Sequence, residues 1–266
     1  MVVAAACAEA DDGIPYRFGA PRLMHGESNI RMVLEFVSAD VFRDHADVHC
    51  RFVLANDGPP VDARIGFPGG SDNSYDDGSS PKPSLEHFRS AVDGKPVSTR
   101  VEFSSTGSGQ APLYHAKSVH FAMHQTRVVE DWYTGDLSGG GTNTLVSSRK
   151  NGQENLYVSQ FEYVMGSGGS WKGNILQATV VVRFMEPRFR HLRGFPESQF
   201  GPPLQSTRLN RLPRKGVIWA GFATPGLDGN GMTFQRTNFK PTDRDNVHLW
   251  FDALPFNGSI WSRSHQ

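Results

Sequence analysis

No excess charge of either sign is present in the chain, whose 27 lysines and arginines are balanced by 27 aspartates and glutamates. Proteins that bind nucleic acid or an anionic membrane usually gather a basic excess on one face, so the balance argues against nucleic acid as a partner. Cysteine is scarce as well. Cys7 and Cys50 are too few for a disulfide framework, and no Cys-x-x-Cys spacing suggests a zinc site. Cys50 alternates with Val48 and Phe52, a period that assigns it to a core face. No run approaches the roughly 18 consecutive apolar residues of a membrane-crossing helix, so no transmembrane segment is expected. Enzyme signatures are missing too: there is no Gly-x-Ser-x-Gly elbow and no His-Glu-x-x-His, so no catalytic residue is assigned and a non-enzymatic role is expected.

What the chain does have is turn chemistry and alternation. Gly (28) and Pro (17) are abundant, and runs such as "ATVVVRF" (178–184) are β-branched, which favours many short strands over helices. "NIRMVLEF" (29–36) and "DVHCRFVLAND" (47–57) alternate as half-buried strands do. Asn56-Asp57-Gly58-Pro59-Pro60 and Asp93-Gly94 are strong turn sequences, and each is expected to close a hairpin. "LYHAKSVHFAM" and "TRVVEDWY" are expected to pair across His124-Gln125. The fold class is therefore all-β: an immunoglobulin-like or fibronectin-like sandwich over residues 25–135, followed by a second β unit over 156–255 packed on it. Residues 136–155, rich in Gly, Ser and Asn, read as a loop or linker, and 256–266 as a tail.

Residues 1–24 read as a signal-peptide stub and N-terminal tail. Ala8-Glu9-Ala10 fits the small-x-small cleavage rule, although the basic n-region and most of the apolar h-region are lacking. The expected location is accordingly secreted, periplasmic or cell-surface. An unstructured tail is the alternative reading. Lipidation at Cys7 is a third, weakened because Ala4 stands where a leucine is usual.

"GSGGSWKGNI" (166–175) has the glycines and lysine of a phosphate cradle, but in the wrong order, and a strand follows it where a P-loop needs a helix. The run is expected to be a hairpin with Trp171 as its buried anchor. His45, Asp47 and His49 recur at period two, which puts all three on one strand face with donor types suited to a transition metal. Set against that is their spacing: alternate side chains stand about 7 Å apart along a strand, wide for a single ion. Asp72, Asp76 and Asp77 lie in a loop loosely like an EF-hand, but Gly78 falls one place late and Pro83 stands where the bidentate glutamate belongs, leaving an irregular calcium site as the alternative to a soluble acidic loop. Glu130 and Asp131, neighbours on a strand, face opposite sides and read as charged strand ends. Trp261, in a polar tail, is the aromatic expected to be exposed as a ligand platform.

"YVMGSGGSWKGNI" (163–175) resembles a Tyr-x-x-x-Thr-Gly-x-x-Trp-x-Gly-Pro-Ile signature, and "TNFKPTDRDNVHLWF" (237–251) resembles an Asn-x-Lys-Pro-Thr strand-turn, both belonging to an exported bacterial all-β family catalogued as a domain of unknown function. The order of segments in the first half is similar as well, so the resemblance covers most of residues 28–252. Ser167 stands for Thr and Asn174 for Pro, and the segment 186–215 has no counterpart. The resemblance implies an extracytoplasmic protein with Trp171, Asn238 and Pro241 as structural anchors, and it carries over no catalytic residue. The resulting expectation is a non-enzymatic binding or scaffolding protein of the cell envelope, with a glycan or an envelope protein as partner and no cofactor. A carbohydrate-binding or calcium-assisted adhesion module is the alternative, and a metal-dependent hydrolase on His45, Asp47 and His49 the second alternative.

Overall fold

The structure is a computed structural model that describes residues 18–25, 29–69, 85–103, 113–137, 144–145, 156–200 and 215–255. The signal-peptide stub with Cys7, the aspartates 72, 76 and 77, and Trp261 lie outside the described residues. Its strands, in chain order, begin with β1 (Phe18–Gly19), β2 (Arg22–His25), β3 (Ile30–Val41), β4 (His45–Asn56), β5 (Val61–Pro68) and β6 (Leu85–Val92). They continue with β7 (Lys95–Val97), β8 (Arg100–Phe103), β9 (Leu113–Phe121), β10 (Thr126–Asp136), β11 (Thr144–Leu145) and β12 (Leu156–Val164). The last are β13 (Ile175–Phe184), β14 (Arg193–Pro196), β15 (Gly216–Ala220), β16 (Gly226–Asp228), β17 (Gly231–Phe239) and β18 (Val247–Pro255).

The fold is all-β. An eight-stranded sheet runs β16-β17-β13-β3-β4-β10-β6-β7. A four-stranded sheet runs β2-β5-β9-β8, and a six-stranded one β1-β12-β18-β15-β14 with β11 on β12. The large sheet draws strands from both sides of residues 136–155: β3 lies parallel to β13, from Leu34 opposite Gln177 to Val41 opposite Phe184. One buried cluster likewise joins Val37, Phe52 and Ile65 of the first half to Phe161, Val180 and Phe251 of the second. Burial along β3 and β4 follows period two, broken in β3 by a bulge between Met32 and Leu34, because every second side chain meets the sheets stacked beneath.

Three turns do something other than what their sequences suggested. Asp93 (φ 50°) and Gly94 (φ 74°) form the expected hairpin between β6 and β7, both in the left-handed region that a two-residue hairpin turn demands. The Asn56 turn, in contrast, carries the chain from β4 in the large sheet to β5 in the small one. Its chemistry is as read: Asn56 Nδ2 donates to Pro59 O at 2.7 Å and to Ala122 O at 3.1 Å, and Asn56 Oδ1 accepts from Gly58 N at 3.0 Å. His124-Gln125 likewise crosses from β9 to β10 between sheets, and residues 166–174 cross from β12 to β13. The expected hairpins at these three places are inter-sheet arches, and they stack the layers.

The glycine-rich run is a 3-10 turn over Gly166–Ser170, followed by Gly173 at φ 66°. Trp171 is buried, and its indole N–H donates to Pro21 O at 2.9 Å. The neighbouring positions support the same corner. Asn238 sits at φ 52°, its Oδ1 accepting from Asn174 Nδ2 at 3.1 Å, and buried Pro241 packs so close to Gly168 that a Cβ there would meet its Cγ at 3.4 Å. Trp171→Phe keeps most of the apolar volume but strands the Pro21 carbonyl. It should cost about 1–3 kcal/mol in urea unfolding with an unchanged denaturant slope; no loss would mean that the carbonyl finds water.

Candidate functional site

The outer face of the large sheet is assembled by alternation. On β4, Ala46, Val48 and Cys50 are buried, which turns Asp47 and His49 outward. On β10, buried Val129, Asp131 and Tyr133 turn Glu130, Trp132 and Thr134 outward. Register then sets them side by side. Ser38 is opposite His49 and Asp40 opposite Asp47 across β3 and β4. Trp132 is opposite His49 and Thr134 opposite Asp47 across β10 and β4, and Arg89 of β6 is opposite Trp132 on the other side. Between Trp132 and Thr134 the pairing with β6 slips, and His87 on β6 takes φ 53°. A bulge of this kind re-aims a side chain, and a non-glycine residue held in the left-handed region is the type of strain that gathers at functional sites.

These outward side chains, Glu130 excepted, line a cleft of about 460 Å³. Trp132 stands between two neighbours: the His49 ring stacks on it at 4.7 Å and 7° between planes, and the Arg89 guanidinium lies 4.9 Å from its ring centre. Because these neighbours come from the strands flanking β10, both indole faces are covered and neither is open to a sugar ring. Thr134 Oγ1 donates to Asp47 Oδ1 at 2.8 Å, Arg183 Nε donates to Asp40 Oδ1 at 2.6 Å, and His49 Nε2 lies 3.2 Å from Glu130 Oε1. Among the described residues, Asp47 then has no cationic partner and Arg89 no carboxylate partner.

Of the sequence-derived metal trio, Asp47 and His49 line this cleft and His45 does not. His45 Nδ1 lies 2.7 Å from Asp44 Oδ1, and its ring stacks on Phe42. The three share a face but take three different partners, and among the described residues no group of three or more His, Cys, Asp or Glu side chains could hold a metal ion. The expected trio of His45, Asp47 and His49 is thus not gathered into one donor set: their spacing along the strand keeps them apart. Sequence reasoning missed Arg89, Trp132 and His87. The alternation of β10 could have placed Trp132 outside, but its companions depend on cross-strand register.

Beneath the same strands lies a buried polar set. Asp131, read from sequence as a charged strand end, is fully buried and ion-paired with the equally buried Lys117 of β9. Lys117 Nζ also donates to Ser90 Oγ at 2.8 Å, while Asp131 Oδ2 has no hydrogen-bond partner among the described residues. Glu35 is completely buried, its Oε1 accepting from Tyr163 O–H at 2.8 Å and its Oε2 without a partner among the described residues. Burial pushes the Glu35 carboxyl up to about 8, against a smaller downward pull from the Tyr163 hydrogen bond. Burial also raises the Cys50 thiol and the Tyr133 and Tyr163 hydroxyls and lowers His115 to about 4, so each of these groups is held neutral.

No family model matches the chain, and no curated protein matches it significantly. Among solved structures, a candidate nutrient-binding protein from Legionella pneumophila superposes with a TM-score of 0.58 at 15% identity, covering 94% of this chain and 74% of that one. An M1 zinc metallopeptidase from Deinococcus radiodurans gives 0.35 at 12% identity, covering 85% of this chain and 43% of that one. Leukotriene A4 hydrolase from Saccharomyces cerevisiae gives 0.40 at 12% identity, covering 84% and 29%. The first likeness shows a shared fold, and the other two are too distant to carry any argument. Among the described residues no helix is long and apolar enough to cross a membrane.

Proposed function

We propose that this chain is a non-enzymatic, exported all-β protein that binds a small polar ligand at the cell envelope, with the cleft above Trp132 as its seat. The observation that carries this reading is the convergence of polar side chains from β3, β4, β6 and β10 on one cleft of about 460 Å³, within the size range of small-molecule sites. These groups are mounted on paired strands rather than on loops, which fixes their spacing before a ligand arrives. Location at the envelope rests on the family resemblance and the Ala8-Glu9-Ala10 sequence. The description of the Legionella protein is in keeping with a binding role.

A thermal-shift screen of amino acids, short peptides, organic acids and saccharides tests the reading. A ligand at about 100 times its Kd should stabilise the protein by about 3 kcal/mol, raising Tm by a few degrees. Trp132→Ala removes the wall that orients His49 and Arg89 and should abolish that shift. Hits should be recovered chemically unchanged. Turnover of a hit would overturn the non-enzymatic part, and hits indifferent to Trp132→Ala would move the site elsewhere.

A further inference from the structure

Resting on the reading of this cleft as a binding site, we infer that its ligand is dipolar: a short zwitterion whose ammonium group meets Asp47 and whose carboxylate meets Arg89. Two charges in the cleft have no oppositely charged partner among the described residues, and they differ in sign. Asp47 keeps one oxygen beyond the Thr134 hydroxyl bond, and it faces Asp40 directly across the strand pair. Like charges placed opposite each other destabilise a sheet. Arg183 relieves Asp40, but no cationic side chain among the described residues relieves Asp47. Arg89 stands on the far side of β10, held over Trp132 with its guanidinium donors committed to no carboxylate.

The two charges do not neutralise each other because β10 lies between them. Two strand spacings put the backbones of β4 and β6 about 10 Å apart, and Arg89 leans over Trp132, which narrows the gap. The remaining span suits two to three extended residues at about 3.3–3.6 Å each. A planar guanidinium can grip a carboxylate through two parallel N–H bonds, whereas an ammonium group needs only acceptors such as Asp47 and the nearby Thr134 hydroxyl. His87, turned into the cleft by the bulge, adds an imidazole N–H at the carboxylate end. A neutral saccharide would leave both charges desolvated and unpaired, which argues for a ligand that brings its own pair of charges.

Calorimetric titration of the whole chain with glycine, diglycine, triglycine and 6-aminohexanoate tests this, alongside two forms with one end blocked: acetyl-triglycine and triglycine amide. Diglycine or triglycine should bind best among the glycine series, and 6-aminohexanoate shows whether peptide groups matter or only the spacing of the ends. Blocking either end, or introducing Asp47→Asn or Arg89→Gln, should weaken binding about tenfold or more, because each removes a charge-assisted hydrogen bond. Both side chains are solvent-facing, and the blocked ligands repeat the test on unaltered protein. Equal binding of blocked and unblocked peptides would overturn the dipolar ligand. A neutral saccharide or a simple dicarboxylate that binds in a Trp132-dependent manner would also overturn it while leaving the binding reading intact. Absence of binding by every class in the screen would remove both.

Discussion

Glu35→Gln is expected to flatten the pH dependence of stability and to make the protein more stable than its parent at pH 9. The parent carboxyl is wholly buried, with one oxygen held by Tyr163 and the other without a partner among the described residues, and burial raises it to about 8 from an ordinary 4.5. Below about 4.5 the folded and unfolded states both carry the proton, and the group is indifferent to pH. Between 4.5 and 8 the unfolded chain releases the proton while the folded one keeps it, so unfolding becomes steadily more favourable; above 8 the loss levels out. The whole change is up to about 5 kcal/mol, from 1.36 kcal/mol per unit. Glutamine keeps an acceptor for Tyr163 but places an amide N–H₂ where the partnerless oxygen was, at a cost of about 1–3 kcal/mol. The variant should therefore be somewhat weaker at pH 4 and stronger at pH 9, with the curves crossing between. Urea unfolding at pH 4, 6.5 and 9 decides it. Parallel curves would show that Glu35 is relieved by water or ionised in the fold.

That carboxyl also marks where sequence reading ended. Alternation along β3 puts Glu35 on the same side as Val37 and Ala39, but a single charged residue in such a run reads naturally as an irregularity, and the bulge between Met32 and Leu34 shifts the phase just before it. Asp131 failed for a related reason. Its orientation opposite to Glu130 follows from period two, yet only the register of β9 beneath β10 supplies Lys117 as the partner that lets a carboxylate be buried. Strands and turns were legible because each is written in a few adjacent residues. Asn56, His124 and the glycines before Trp171 do turn the chain, but whether the next strand lies beside the last or in the layer below is set by the total apolar area to be covered. A turn of the same chemistry serves either outcome. In the cleft, Asp47 and His49 were found by period along one strand. Trp132, Arg89 and His87 join them through the pairing of three strands and a one-residue slip in β6, none of which any single segment encodes.

Lys117→Met is expected to destabilise the protein by about 3–5 kcal/mol, whereas Lys117→Met combined with Asp131→Leu should recover most of that loss. Both charges are fully buried, between the small and large sheets, with the ammonium shared between Asp131 and Ser90 Oγ. Removing the lysine alone leaves a carboxylate in a dry layer with no cation and with an oxygen that already lacks a donor. The double variant buries no charge. Ser90 keeps an acceptor in Glu130 O at 3.3 Å, and methionine and leucine are close in size to the side chains they replace. If the pair only tolerates burial, the double variant matches or exceeds the parent in urea. If it is needed to lock the small sheet onto the large one in register, the double variant stays as weak as the single or loses its sharp unfolding transition. The second result would assign the ion pair to specificity of sheet stacking, because a one-residue slip of β9 against β10 would separate Lys117 from Asp131 and leave two unpaired charges in the layer.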